Sequence, residues 1–247
     1  MKKQRRAQRE MSFGGHGGWR PGAGRKPGAA WSKNSRKKKS QRTPHRSRAA
    51  LAARYPVHVS MRLRKGLRRS LRSGRCYRVI KSCLRAARDR LGCRIIHYSV
   101  QGNHIHLIVE AQGEQALGRA MKGFCVRVAK AFNRVAGRQG QVFSERYHAE
   151  YLTSLRQTRN ALVYVIQNAK RHALEMLNLG PECLHRSWVD PLSSAAYFDG
   201  WRPECRRWIP PPDSEPPVVP AELWQLKTGW KRLGRIHTSE VPKPGQL

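Results

Sequence analysis

The sequence predicts an α+β domain, a ferredoxin-like split βαβ arrangement with helices on one face of an antiparallel sheet and one extra helix after it. Three observations carry this. Apolar residues recur with a period of two in four short segments and near 3.6 in three longer ones. The segments run strand, helix, strand, strand, helix, strand, helix. Between the second and third strands stands Gln101-Gly102-Asn103, the composition of a tight hairpin turn.

The first strand starts after Pro56: Val57, Val59, Met61 and Leu63 alternate with His58, Ser60 and Arg62, as in a half-buried strand. A basic connection over 64–73 leads to a helix over 77–91, with Ile80, Cys83, Leu84, Ala87 and Leu91 on one stripe and Gly92 as its stop. Strands follow over 94–100 and 104–110. The second helix spans 115–135, with Leu117, Met121, Phe124, Val128, Ala131 and Phe132 inward and Arg119, Lys122, Arg127, Lys130 and Arg134 outward. Gly137 to Gly140 end it, and 141–153 read as a fourth strand. The third helix, 155–177, buries Leu162, Val165, Ile166, Ala169 and Ala173. Asn160, Tyr164, Asn168 and Arg171 form a separate polar stripe at spacings of four, four and three.

Two basic or proline-rich segments flank this region. Residues 1–54 lack hydrophobic periodicity, centre on Lys37-Lys38-Lys39 and hold Glu10 as their one acid, which predicts a disordered basic arm. Within it, Trp19 to Gly28 loosely resembles an AT-hook, although plain attraction to phosphates explains the same residues. Residues 181–247 form a Trp/Pro-rich extension. Pro210-Pro211-Pro212, Pro216-Pro217 and Pro220 suggest a stiff linker. Trp188, Trp201, Trp208, Trp224 and Trp230 serve either to pin this tail or to stack on bases, and packing is the commoner use. Residues 221–233 suit a short amphipathic helix, with Leu223, Leu226, Trp230 and Leu233 on one side.

Composition narrows the function. Fifty Lys and Arg stand against 15 Asp and Glu, a formal net charge of +35. That exceeds any need for solubility and implies a polyanionic partner, nucleic acid above all. No apolar run approaches the roughly 20 residues that span a bilayer, and no apolar segment of a secretory signal follows the basic N-terminus. Cys76, Cys83, Cys93, Cys125, Cys183 and Cys205 form no CxxC pair and no zinc-finger spacing, so reduced thiols in a cytosolic protein are expected.

The segment 101–110 then stands out. On a strand, His104 and His106 share a face while Ile105, Leu107 and Val109 take the other. Two imidazoles on a rigid strand are either half of a metal site or two exposed polar residues. Glu110 shares their face, and His97 and His148 are further candidates, more simply read as solvated or hydrogen-bonded strand histidines. Tyr164, taken by itself, reads as an amphipathic residue at a core rim.

The set of His104-Ile105-His106 in Gly-Asn-His-Ile-His-Leu-Ile-Val, Tyr164-Val-Ile-Gln-Asn168 downstream, and strong positive charge resembles the single-tyrosine HUH transposases. These include insertion-sequence transposases and REP-associated tyrosine transposases. The resemblance covers about 56–172, within a catalytic domain over 55–180. It implies cleavage and rejoining of single-stranded DNA at hairpin-marked or palindromic sites through a 5′-phosphotyrosine intermediate. Tyr164 would be the nucleophile and His104, His106 and Asn168 the metal ligands, with Gln167 as an alternative third ligand. Three neutral ligands with open positions suit Mg²⁺ or Mn²⁺. Arg119, Lys122, Arg127, Lys130 and Arg171 would bind DNA phosphates. The family includes monomers and homodimers that exchange the tyrosine, and a cytoplasmic, nucleoid-associated bacterial protein is implied. The alternative is a non-catalytic nucleic-acid-binding protein of the same fold.

Overall fold

The computed structural model describes residues 52–67, 69–177, 187–212 and 215–242. The basic arm, including its AT-hook-like stretch, lies outside the described residues up to position 51, as does Cys183.

The elements are β1 (Val57–Arg62), α1 (Gly74–Ala87), β2 (Asp89–Arg90), β3 (Cys93–Val100), β4 (His104–Ala111), α2 (Glu114–Ala136), β5 (His148–Tyr151) and α3 (Leu155–Leu177). Among the described residues, three 3-10 turns and the single helical turn α4 (Trp224–Lys227) come after α3. The sheet order is β2-β3-β4-β1-β5, with all pairs antiparallel. Leaving aside the two-residue β2, this is the expected ferredoxin-like order. Among the described residues no helix is long and apolar enough to cross a membrane.

Alternation along the strands sorts two cores. Val57, Val59 and Met61 of β1 and Ile105, Leu107 and Val109 of β4 join Ile80, Leu84, Phe124 and Val128 of α1 and α2 in one cluster. Ile108, on the other face of β4, joins Leu162, Val165 and Ile166 of α3 in a second. A bulge between Ile95 and His97 shifts the β3 register, so Ile95 and Tyr98 face the first core and Ile96 faces the second. The extra helix therefore covers the face of the sheet that α1 and α2 leave open.

Several elements differ from the sequence expectation. The first helix begins earlier and ends at Ala87 rather than Leu91, because Asp89 and Arg90 pair back onto Arg94 and Cys93. Leu91 and Gly92 form the tight turn, both at positive φ (58° and 70°), so Leu91 is 54 % exposed instead of lying on the core stripe. The fourth strand shrinks to β5; its earlier part touches the sheet only as an isolated bridge between Leu63 and Phe143. The first strand is buried on both faces, since α3 covers His58 as α1 and α2 cover Val57 and Val59.

The helix ends follow local chemistry. Ser154 and Gln157 form a reciprocal capping box at the start of α3: Ser154 Oγ accepts from the Gln157 backbone N–H at 3.1 Å, and Gln157 Oε1 accepts from that of Ser154 at 3.2 Å. Gly137, at φ 62°, closes α2 in the left-handed conformation that glycine adopts without a Cβ clash.

The proline-rich stretch is packed against the domain. Arg85 and Arg88 donate to the carbonyls of Glu215 and Pro216, and the Val219 N–H donates to Ile95 O. Trp201 and Trp230 are buried against α3, in line with a packing role, while Trp224 and Leu233 are exposed. This tail covers the side of α3 that faces away from the sheet: Gln225 Nε2 donates to Thr158 Oγ1, Gln167 Nε2 donates to the carbonyls of His237 and Thr238, and Lys170 Nζ donates to Thr238 O. Arg72 grips Asp190 through two guanidinium nitrogens and donates to Val100 O, tying the segment after α3 to the β3–β4 hairpin.

Gly200 lets this tail close. A Cβ built there would stand 2.3 Å from the Phe198 ring and 2.4 Å from the Trp230 ring, and these two rings stack. Gly200→Ala should cost about 1–3 kcal/mol through overpacking. Gly123→Ala, in open space on α2, should be neutral or stabilise by up to about 1 kcal/mol. Urea unfolding of the two variants checks both signs.

Candidate active site

Four imidazoles and one phenol meet between the sheet and α3. β4 supplies His104 and His106, whose rings meet edge to face at 4.6 Å between centroids. β1 supplies His58, which stacks on His106 at 5.2 Å, with His58 Nε2 3.2 Å from His106 Nδ1. α3 supplies Tyr164, edge-on to His106 at 5.1 Å and to His58 at 5.8 Å. It also supplies His172, edge-on to His104 at 5.5 Å.

The helix period explains the match. Tyr164, Asn168 and His172 are four residues apart, hence stacked along one face of α3. Tyr164 lies over His106 and His172 over His104, so Asn168 occupies the turn between them. Asn168 is fully buried, and neither its Oδ1 nor its Nδ2 has a hydrogen-bond partner among the described residues. The same holds for the Nε2 atoms of His106 and His172. A buried polar atom left unpaired costs about 1–3 kcal/mol, so this concentration requires an explanation.

A bound cation would supply one. His106 Nε2, Asn168 Oδ1 and the His104 ring present neutral N and O donors, a set that fits a divalent ion with room for external ligands. Among the described residues no three His, Cys, Asp or Glu side chains are by themselves placed to hold a metal ion. A site here therefore depends on the amide as well as the imidazoles.

The electrostatics keep the donors neutral. Burial lowers the His104 pKa to about 4, helped by the neighbouring His172 and Arg62. Burial, then His148, lowers His58 to about 4. His106 is pushed well below its ordinary value by burial and then by His58, His104 and His172. Tyr164 is raised by burial, with the Arg171 charge opposing that shift and Glu175 adding to it.

Other predicted residues fall elsewhere. Gln167 turns away from the histidines toward Thr238. Glu110 accepts from Arg94 and from the N–H groups of Glu222 and Leu223, so its carboxylate anchors the tail. His97 is buried against Ser194 Oγ and lines a separate cavity of about 350 Å³ with Tyr197 and Asp199. His148 is exposed on β5. Arg119, Lys122 and Lys130 are exposed and Arg127 half-buried on α2, in the layer on the opposite side of the sheet from Tyr164. Arg171 lies on α3, held to Glu175 at 2.6 Å.

Sequence reasoning missed His58 and His172. The signal for His172 is its spacing of four from Asn168, where Arg171 at three was followed instead. The signal for His58 is its place on the outward phase of β1, decisive only once β1 is known to pair with β4.

Residues 54–168 match the family model described as "Transposase IS200 like", and the match contains both strand histidines, Tyr164 and Asn168. No curated protein sequence matches. A solved structure, of a REP-associated tyrosine transposase bound to a REP hairpin, aligns at 13 % identity with a TM-score of 0.48, covering 73 % of this chain and 93 % of that one.

The buried histidines make stability depend on pH. In the unfolded chain each titrates near 6.5, whereas His58, His97 and His104 titrate near 4 in the fold and His106 well below 6.5. The unfolded state thus takes up protons first. Stability should be full above about pH 6.5 and fall between about 6.5 and 4, by roughly 1 kcal/mol per pH unit for each imidazole. Unfolding midpoints across that range, with His97→Gln as a variant of shallower slope, test this.

Proposed function

Because residues 54–168 match the IS200-like transposase family model, we propose that the protein is a metal-dependent transposase that cleaves and rejoins single-stranded DNA through a covalent bond to Tyr164. The observation that carries this reading is the Tyr164 ring held against His106, with the unpaired Asn168 amide one helical turn away.

His104, His106 and Asn168 are the proposed ligands of Mg²⁺ or Mn²⁺, which when bound would polarise the scissile phosphate and draw charge from its non-bridging oxygens. Tyr164 acts as the nucleophile. Burial favours its protonated form, so its proton leaves as the new bond forms. The phenolic oxygen bonds to phosphorus, and the bond from phosphorus to the 3′ oxygen breaks. One proton leaves the phenol and one reaches the 3′ oxygen, so the step balances. The 5′-phosphotyrosine conserves the bond energy, and attack by another 3′-OH rejoins strands without nucleotide hydrolysis.

Tyr164 lies against histidines of its own chain, which supports a site complete in one subunit. A monomer is then sufficient, although a homodimer remains compatible. The partner is single-stranded DNA bearing hairpins or palindromic repeats, consistent with a cytoplasmic, nucleoid-associated location. Arg171 serves phosphates on the α3 side, while Arg119, Lys122, Arg127 and Lys130 offer a second basic surface behind the sheet. The formal charge of +35 supports binding dominated by phosphate contacts.

Incubation with labelled hairpin oligonucleotides and Mn²⁺ should yield an adduct that survives SDS. Tyr164→Phe should abolish it, and an adduct formed by that variant would remove Tyr164 from its role. Asn168→Ala should reduce cleavage at least about 10-fold while leaving DNA binding in place. Non-covalent affinity should drop by roughly 10³ or more between 50 and 200 mM salt, measured by anisotropy.

A further inference from the structure

We propose that His58 is a positioning residue that fixes the tautomer of His106, and that Asn103 does the same for His104. The inference rests on the metal reading above.

A neutral imidazole carries one donor nitrogen and one acceptor nitrogen. Asn103 Oδ1 lies 2.7 Å from His104 Nδ1. An amide oxygen can only accept, so Nδ1 carries the His104 proton and Nε2 carries a lone pair. His106 has a related contact through the same ring atom: its Nδ1 is 3.2 Å from His58 Nε2, with both rings at most 5 % exposed. One of these two nitrogens donates. If His58 donated, His106 would hold its proton on Nε2, a buried N–H with no acceptor among the described residues. If His106 donates, its Nε2 is a lone pair, and a cation satisfies it. Only the second arrangement removes the buried orphan when an ion binds.

Both strand histidines then present Nε2 with a free lone pair, and each Nδ1–H has its own acceptor. The acceptors come from different places, a turn residue for His104 and the neighbouring strand for His106. Register makes the second possible. Ser60 stands opposite His106 and His58 opposite Ile108, so His58 sits diagonally next to His106 on the same face. Ring stacking at an interplanar angle of 20° holds the pair in that relation. Partners of this kind orient ligating imidazoles and raise their basicity, and their loss commonly costs 10–100-fold in metal affinity.

The test uses the full chain with two substitutions. His58→Phe keeps a flat ring and removes the acceptor. His58→Gln places an amide oxygen within reach of the same Nδ1–H. Long-range ¹H–¹⁵N spectra of the metal-free protein read the tautomer, and Mn²⁺ titration followed by electron paramagnetic resonance reads affinity. The wild type should show His106 protonated on Nδ1. His58→Phe should lose that preference and bind Mn²⁺ about 10–100-fold more weakly, and His58→Gln should recover to within about threefold of wild type. A wild-type His106 protonated on Nε2, or a His58→Phe variant that binds Mn²⁺ as tightly as wild type, overturns the proposal. A wild type that takes up no Mn²⁺ overturns the metal reading instead, and the metal-free tautomer still decides the role of His58. Should His58→Phe fail to fold, the wild-type spectrum decides.

Discussion

The seating of α3 on the histidine face of the sheet is the constraint on which everything else depends. β4 is buried on both sides: Ile105, Leu107 and Val109 lie against α1 and α2, and His106 and Ile108 lie under α3. Side chains alternate strictly along a strand, so the apolar contacts on one side fix where the imidazoles point on the other. A slip of one residue would put both histidines into the apolar core and remove three aliphatic anchors from it. The first core therefore holds the site in register without contributing an atom to it.

On α3 itself, buried polar groups divide by direction. Those facing the tail are mostly paired: Thr158 with Gln225, and Gln167 Nε2 and Lys170 with the Thr238 carbonyl, while Gln167 Oε1 has no partner among the described residues. Those facing the sheet are not, since Asn168 is unpaired at both its oxygen and its nitrogen and His172 at Nε2. The tail thus relieves the cost of burying one side of a polar helix, while the other side keeps unfilled hydrogen-bonding capacity beside the histidines. The unpaired atoms of Asn168, His106 and His172 are where an outside ligand would find partners.

Burial has opposite consequences for the two chemistries at this site. It lowers the imidazole pKa values, keeping lone pairs available at neutral pH, and it raises that of the Tyr164 phenol, making its ionisation harder. Arg171 offsets the second effect in part. Positive charge from an ion held by the proposed ligands would act in the same direction as Arg171, offsetting the desolvation of the phenol.

Much of this was legible in the chain. Period-two alternation located β1, β3 and β4 and put His104 and His106 on a common face; helical spacing put Tyr164 and Asn168 on another. Both are consequences of backbone geometry within one element. Element ends and partners were less legible. Leu91 reads as a helical core residue because its spacing fits, yet the turn with Gly92 places it in solvent. The proline-rich stretch reads as a linker because its composition is that of one, yet the carbonyls of Glu215 and Pro216 accept from Arg85 and Arg88. His58 belongs to the site only because β1 pairs beside β4, and His172 only because α3 crosses the sheet with that stripe inward. The sequence by itself determined the elements, the charge and the strand-borne histidine pair, since these depend on neighbours in the chain. Which imidazoles surround Tyr164 was decided only by tertiary structure, because strand order and helix seating arise from contacts between residues from 42 to 106 positions apart.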